Sequence, residues 1–231
     1  MREPHVREIV CLEPSALAWR LRGQRHLTLL ESVMRSEHLG RYSFLACNPA
    51  QTLEVTAAGT FFDGVAQRES ALTLISRLLE QNRQQHVPGL PPFQGGLAGY
   101  ISYDFGRRLE PHAKLPDFAP LCPDLMLHRF DCAAGFDHMQ ERAWIVSATR
   151  EQADQMEALL AHKPRTLGSH LIDGWQSNFT REAYEKAIAR TVDYILAGDI
   201  FQANITQMFE AAIPKGFDPF AFYRELRQKN P

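Results

Sequence analysis

Three polar side chains in register carry the first chemical hint. Gln202, Asn204 and Thr206 alternate with Phe201, Ala203 and Ile205 in the run AGDIFQANITQMF. On an extended backbone the polar three share one face, and the apolar residues, with Phe209, share the other. Two amides and a hydroxyl so placed either sit in water or line a polar cavity, because a buried amide without a partner costs roughly 1–3 kcal/mol. Gln and Asn are poor strand formers on a solvated face. They are therefore candidate cavity-lining residues, with a solvated sheet face as the alternative.

Other chemistry-bearing residues lead elsewhere. The stretch GGLAG, with Gly95, Gly96 and Gly99, has β-type residues after it rather than a helix, so it is not a dinucleotide fingerprint. Its glycines instead suggest a central, crowded strand from Gly95 to Tyr103. Asp104-Phe105-Gly106 lacks the other kinase motifs. Arg107, Arg108 and Glu110 form either an anion site or a surface ion-pair cluster. Cys11, Cys47, Cys122 and Cys132 have no C-x-x-C spacing and read as reduced core residues, neither metal ligands nor disulfides.

The elements that must position these residues follow from periodicity. Tyr184, Ile188, Thr191, Val192, Ile195 and Leu196 predict a helix over 181–197 with a buried face, Thr180 as N-cap and Gly198 just past its end. A strand over 201–209 follows. Earlier, a helix is expected over 14–22, strands over 26–30, 42–47, 52–57 and 60–63, and a helix over 69–84. Segments 125–132 and 142–148 predict a hairpin around a connection at 133–141, followed by a helix over 150–162. Residues 163–178 have linker composition, and a last helix covers 218–229. The domain reading is thus 1–162, a linker at 163–178, and 179–231. Helices and strands come in clumps, which predicts an α+β class with packed sheets and outer helices.

Composition bounds the function. The chain has 231 residues, 45% hydrophobic and 23% charged, with a net charge of −2. Nothing favours a nucleic-acid partner, and there is no apolar run long enough for a membrane span or a signal peptide. A cytoplasmic protein is expected.

Three separated stretches carry a resemblance. SNFTREAYEKAIARTVDYI with AGDIFQANITQMF, FQGGLAGYISYDFGRRLE at 93–110, and LLESVMRSEHLGRYSFLACNP at 29–49 resemble, in order, component I of the aminodeoxychorismate and anthranilate synthases, the chorismate-binding enzyme family. The resemblance implies an antiparallel β-sandwich with helices outside, of which this chain would be the N-terminal half. It implies amination of chorismate, using ammonia from a glutamine amidotransferase subunit. It also implies a Mg²⁺ whose ligands, like the catalytic residues, lie beyond the position matching Pro231. No catalytic or metal-binding residue is therefore assigned in this chain, and the fragment alone is expected to be inactive. A tryptophan site is implied at Ser32, Leu39, Gly40, Arg41 and Tyr42, with ordinary strand-end roles as the alternative. FQGGLAGYISYDFGRRLE and DGWQSNFTREAYEKAI are closer to the aminodeoxychorismate synthases, which serve 4-aminobenzoate and folate synthesis. Anthranilate synthase component I is the alternative, and a non-catalytic amino-acid-binding or partner-docking module is a further one.

Overall fold

The computed structural model describes residues 3–35, 39–110, 120–163, 166 and 168–231. Residues 36–38 of the LLES stretch and 164, 165 and 167 of the expected linker lie outside them. The chain divides into two units, Met1–Arg165 and Thr166–Asn230.

In the first unit the elements are β1 (His5–Ile9), α1 (Pro14–Leu21), β2 (Thr28–Leu30), β3 (Tyr42–Ala46), β4 (Gln51–Thr56), β5 (Gly59–Phe62), β6 (Val65–Gln67), α2 (Ala71–Gln81) and β7 (Gly96–Ile101). A 3₁₀ turn at Tyr103–Phe105 then runs into α3 (Gly106–Leu109), followed by β8 (Leu125–Phe130), β9 (Cys132–Asp137), β10 (Arg142–Ser147) and α4 (Arg150–Leu160). They make two antiparallel five-stranded sheets, β1-β10-β9-β3-β2 and β6-β5-β4-β8-β7.

Two short corners, residues 47–50 and Asp131, join the sheets. The chain passes from β3 into β4 and from β8 into β9, and β3 pairs with β9 while β4 pairs with β8. The register slips by one residue between Leu45↔Ala134 and Gln51↔Arg129, the bulge by which paired strands turn a corner between packed sheets. Ala46 and Ala133 from one sheet and Ala98 and Phe130 from the other close the buried layer between them, with Phe93 against it. Outside, α4 lies on β1, β9 and β10 and meets α1. On the other sheet, Ala71 and Leu74 of α2 join Leu53, Val55, Leu125 and Phe105. The expected sandwich with outer helices is what forms.

Two strand readings change. The hairpin is β9–β10, closed by residues 138–141, and 133–137, expected as connection, is strand. β8 belongs to the other sheet. Among the described residues the glycine-bearing β7 stands at the edge of its sheet, not inside it. The crowding is real but comes from one side: Gly99 has φ +151, and a Cβ there would overlap the Met126 carbonyl of β8.

The second unit contains β11 (Gln176–Ser177), α5 (Arg181–Ala197), β12 (Phe209–Glu210) and α6 (Pro219–Lys229). The ends of α5 match the sequence: Thr180 Oγ1 accepts from the Ala183 amide at 3.2 Å, and Gly198 is left-handed at φ +83. Its apolar stripe is not buried. Ile188, Val192 and Ile195 are 40, 47 and 39% exposed, and none of the residues of α5 is buried.

Candidate functional site

The LLES stretch ends β2, and the Gly-Arg-Tyr that follows opens β3. β2 and β3 pair from Thr28↔Ala46 to Leu30↔Phe44, so Ser32 and Tyr42 lie at the same open end of this ladder. Gly40 holds the return at φ +76, where a Cβ would overlap the Met34 carbonyl oxygen, so only glycine fits. Leu39 beside it is 67% exposed.

Arg41 is the anchor. Its Nε and Nη2 donate to Asp137 Oδ2 at 3.0 and 2.7 Å. Its guanidinium carbon stands 4.9 Å from the centre of the Tyr42 ring, and its carbonyl accepts from the His138 amide at 2.8 Å. The Asp137 side chain is 2% exposed. Its Oδ1 accepts from the Met139 and Gln140 amides at 3.0 and 3.1 Å, which fixes the turn between β9 and β10. Burial pushes this carboxyl up, but the Arg41 bonds and the two turn amides outweigh it and hold it below the ordinary aspartate value. Ser43 Oγ and His138 Nε2 are 2.7 Å apart. Burial, and then the nearby Arg35, lower the His138 pKa.

Next to this network is a cavity of about 560 Å³ lined by Val10, Cys11, Leu12, Glu13, Arg35, His138 and Glu141, with Pro14 at its wall. It is roomy enough for a small polar ligand. Cationic Arg35 and anionic Glu13 and Glu141 share its wall, and Glu13 Oε2 also caps α1 by accepting from the Ala16 amide at 2.8 Å. The structure thus gathers Ser32, Gly40, Arg41 and Tyr42 at one end of a sheet. None of the five predicted residues is among those lining the cavity itself. Asp137 and His138 have no mark in the sequence, because they fall in the segment expected as a connection.

Gln202, Asn204 and Thr206 line none of the cavities described here. Residues 201–208 run without a ladder, and all three side chains are exposed. An alternating pattern makes a strand only where a neighbour supplies hydrogen bonds, and among the described residues none pairs with this segment. Its attachments are scattered: Tyr184 Oη donates to the Ile205 carbonyl at 3.1 Å, Ser177 Oγ to Gln207 Oε1 at 2.8 Å, the Met208 amide to Asn178 Oδ1 at 2.9 Å, and the Asn178 amide to the Met208 carbonyl at 3.1 Å.

Arg107 and Arg108 are consumed by Asp104 at 2.9 Å and Asp124 at 2.7 Å, so the surface ion-pair reading holds for them. All four cysteines are free thiols. Among the described residues no group of three or more His, Cys, Asp or Glu is placed to hold a metal ion. No described helix is long and apolar enough to cross a membrane.

Residues 28–231 match the family model described as chorismate binding enzyme. Anthranilate synthase component 1 of Thermus thermophilus is 34% identical over 218 residues, covering 88% of this chain and 45% of that relative. The Pseudomonas putida protein of the same name is 32% identical over 248 residues, covering 94% and 49%. The crystal structure of anthranilate synthase component I from Streptococcus pneumoniae superposes with a TM-score of 0.67 at 25% identity, covering 97% of this chain and 53% of that one. The chain therefore spans about half the length of the relatives it matches. With the corner-turning sandwich, the glycine-fixed entry to β3 and the family model agreeing over most of its length, this chain belongs to the chorismate binding enzyme family.

Proposed function

We propose that this chain serves in the amination of chorismate, as the N-terminal portion of a component I enzyme of the anthranilate synthase type. The match of residues 28–231 to the family model, with relatives named anthranilate synthase component 1 covering 88% or more of the chain, carries this reading. In it the ammonia comes from a glutamine amidotransferase subunit, the reaction takes place in the cytoplasm, and Mg²⁺ is held by residues other than those described here. The chain's own contribution is the sandwich and the Arg41–Asp137 network. We assign tryptophan to the end of β2–β3, at Ser32, Leu39, Gly40, Arg41 and Tyr42. The aromatic face of Tyr42 and the serine hydroxyl are suited to an amino acid with a large apolar side chain.

A second reading, aminodeoxychorismate synthase, rests on the wording of FQGGLAGYISYDFGRRLE and DGWQSNFTREAYEKAI. One assay separates the two. The full-length gene product, rather than this chain alone, is incubated with chorismate, Mg²⁺ and ammonium, with and without a lyase that releases 4-aminobenzoate. Fluorescent anthranilate formed without the lyase supports the first reading, and lyase-dependent 4-aminobenzoate replaces it with the second. If neither product forms and tryptophan still binds in calorimetry, the amino-acid-binding module becomes the better description.

A further inference from the structure

Two thiols meet where the paired strands turn between the sheets. The register of β3 and β9 ends at Leu45↔Ala134. The next pair in that register, Ala46 and Ala133, sits together in the buried layer. Carried one step further, past the end of β3, that register sets Cys47 against Cys132, and Cys47 is near enough to help push up the Cys132 thiol. Both line one small cavity of about 120 Å³ beneath α4, with Asp131, Gln152 and Met156. Cys132 Sγ donates to the Gln152 carbonyl at 3.7 Å, and Asn48 Nδ2 donates to Cys47 Sγ at 3.8 Å, so each sulfur is held at this corner. Directly opposed residues of an antiparallel pair have Cα atoms about 4.5 or 5.5 Å apart, depending on the site, and both spacings fall within the span of a disulfide.

We propose that Cys47 and Cys132 form a redox modification site, converted by hydrogen peroxide into a disulfide that ties β3 to β9 at the corner. The cavity is large enough to admit a two-oxygen molecule. One thiolate attacks a peroxide oxygen, the O–O bond breaks, and a sulfenic acid and water result. The second thiolate attacks that sulfur, the S–O bond breaks, and a second water leaves. Two thiols lose two electrons and two protons in total, and peroxide takes them up. Burial pushes Cys47 up to about 11. Burial, then the neighbouring Cys47 and Asp131, push Cys132 up to about 12. Both therefore stay as thiols at neutral pH, which slows attack on peroxide there and makes the reaction pH-dependent.

The test treats the folded chain with hydrogen peroxide, blocks remaining thiols with iodoacetamide, and digests it for mass spectrometry. The expected product is a peptide linking Cys47 to Cys132, lighter by two hydrogens and restored by dithiothreitol, forming about tenfold faster per pH unit from 7 to 9. A variant with Cys11→Ser and Cys122→Ser keeps the link, and Cys132→Ser abolishes it. The proposal is overturned if Cys47 and Cys132 both remain alkylatable under peroxide that oxidises exposed Cys122. It is equally overturned if the link appears only in urea, or joins either cysteine to Cys11 or Cys122.

Discussion

Replacing Arg41 by alanine tests whether the turn after β9 is held by a buried charge. Both guanidinium bonds fall on Asp137 Oδ2, while Oδ1 keeps its two turn amides. Arg41→Ala therefore strips one carboxylate oxygen completely and leaves the other satisfied. Removing one partner of a fully buried pair costs about 3–5 kcal/mol. The Asp137 side chain is buried but that of Arg41 is 42% exposed, so water reaches Oδ2 once the arginine is gone. A loss of roughly 1.5–3 kcal/mol follows, measured by urea denaturation at pH 7. Asp137→Asn should cost less, about 1 kcal/mol, because it removes the charge itself, keeps the bonds to the Met139 and Gln140 amides, and lets Arg41 turn to solvent. The acid side gives a second readout. A carboxyl held below its ordinary value stabilises the fold above pH about 4, and that stability is lost as pH falls through the folded value. Without Arg41, burial dominates and raises the carboxyl, so the acid loss starts at higher pH. The reasoning is refuted if Arg41→Ala costs under about 0.5 kcal/mol, or if Asp137→Asn costs more than Arg41→Ala.

Three further outcomes are expected. Burial, with His26 stacked 4.1 Å away, lowers His128 to about 4. The unfolded state then binds the extra proton first, so stability falls by up to about 1.4 kcal/mol per pH unit from pH about 6.5 down to about 4, and His128→Gln flattens that slope in pH-resolved urea melts. Gly99→Ala, forced against the Met126 carbonyl at positive φ, should lose roughly 2 kcal/mol, whereas Gly106→Ala, in open helical space, should be neutral or stabilising. Thr180→Ala removes the cap on the Ala183 amide and should speed hydrogen exchange across 181–197 by the equivalent of about 1 kcal/mol, with no change in the amides of β9.

What was legible in the sequence was local. Thr180 and Gly198 mark α5 because a cap and a left-handed stop act within one turn, and the sandwich class follows from the clumping of elements. What failed was non-local. The apolar stripe of α5 and the alternation at 201–208 state what each segment would do beside a neighbour, and neither pattern contains the neighbour. Ala133, Ala134 and Gly135 have little strand propensity, so 133–137 reads as connection from the sequence, although β9 lies between β3 and β10. Arg41 could be picked out by its motif, but its partner Asp137 is 96 positions away and nothing near it announces the pairing. β7 shows the middle case: its glycines correctly signalled a close approach but said nothing about how many sides it came from.

The corner shared by β3–β4 and β8–β9 also governs how the fold is reached. Because both sheets are joined through the same two corners, neither can be completed before chain segments far apart in sequence have met. Closing so long a loop is the slow step, and its entropic cost falls on both sheets together. The first unit should therefore assemble late and in one cooperative event, like a zip with its slider at the corner, with no stage at which one sheet stands finished and the other is still open.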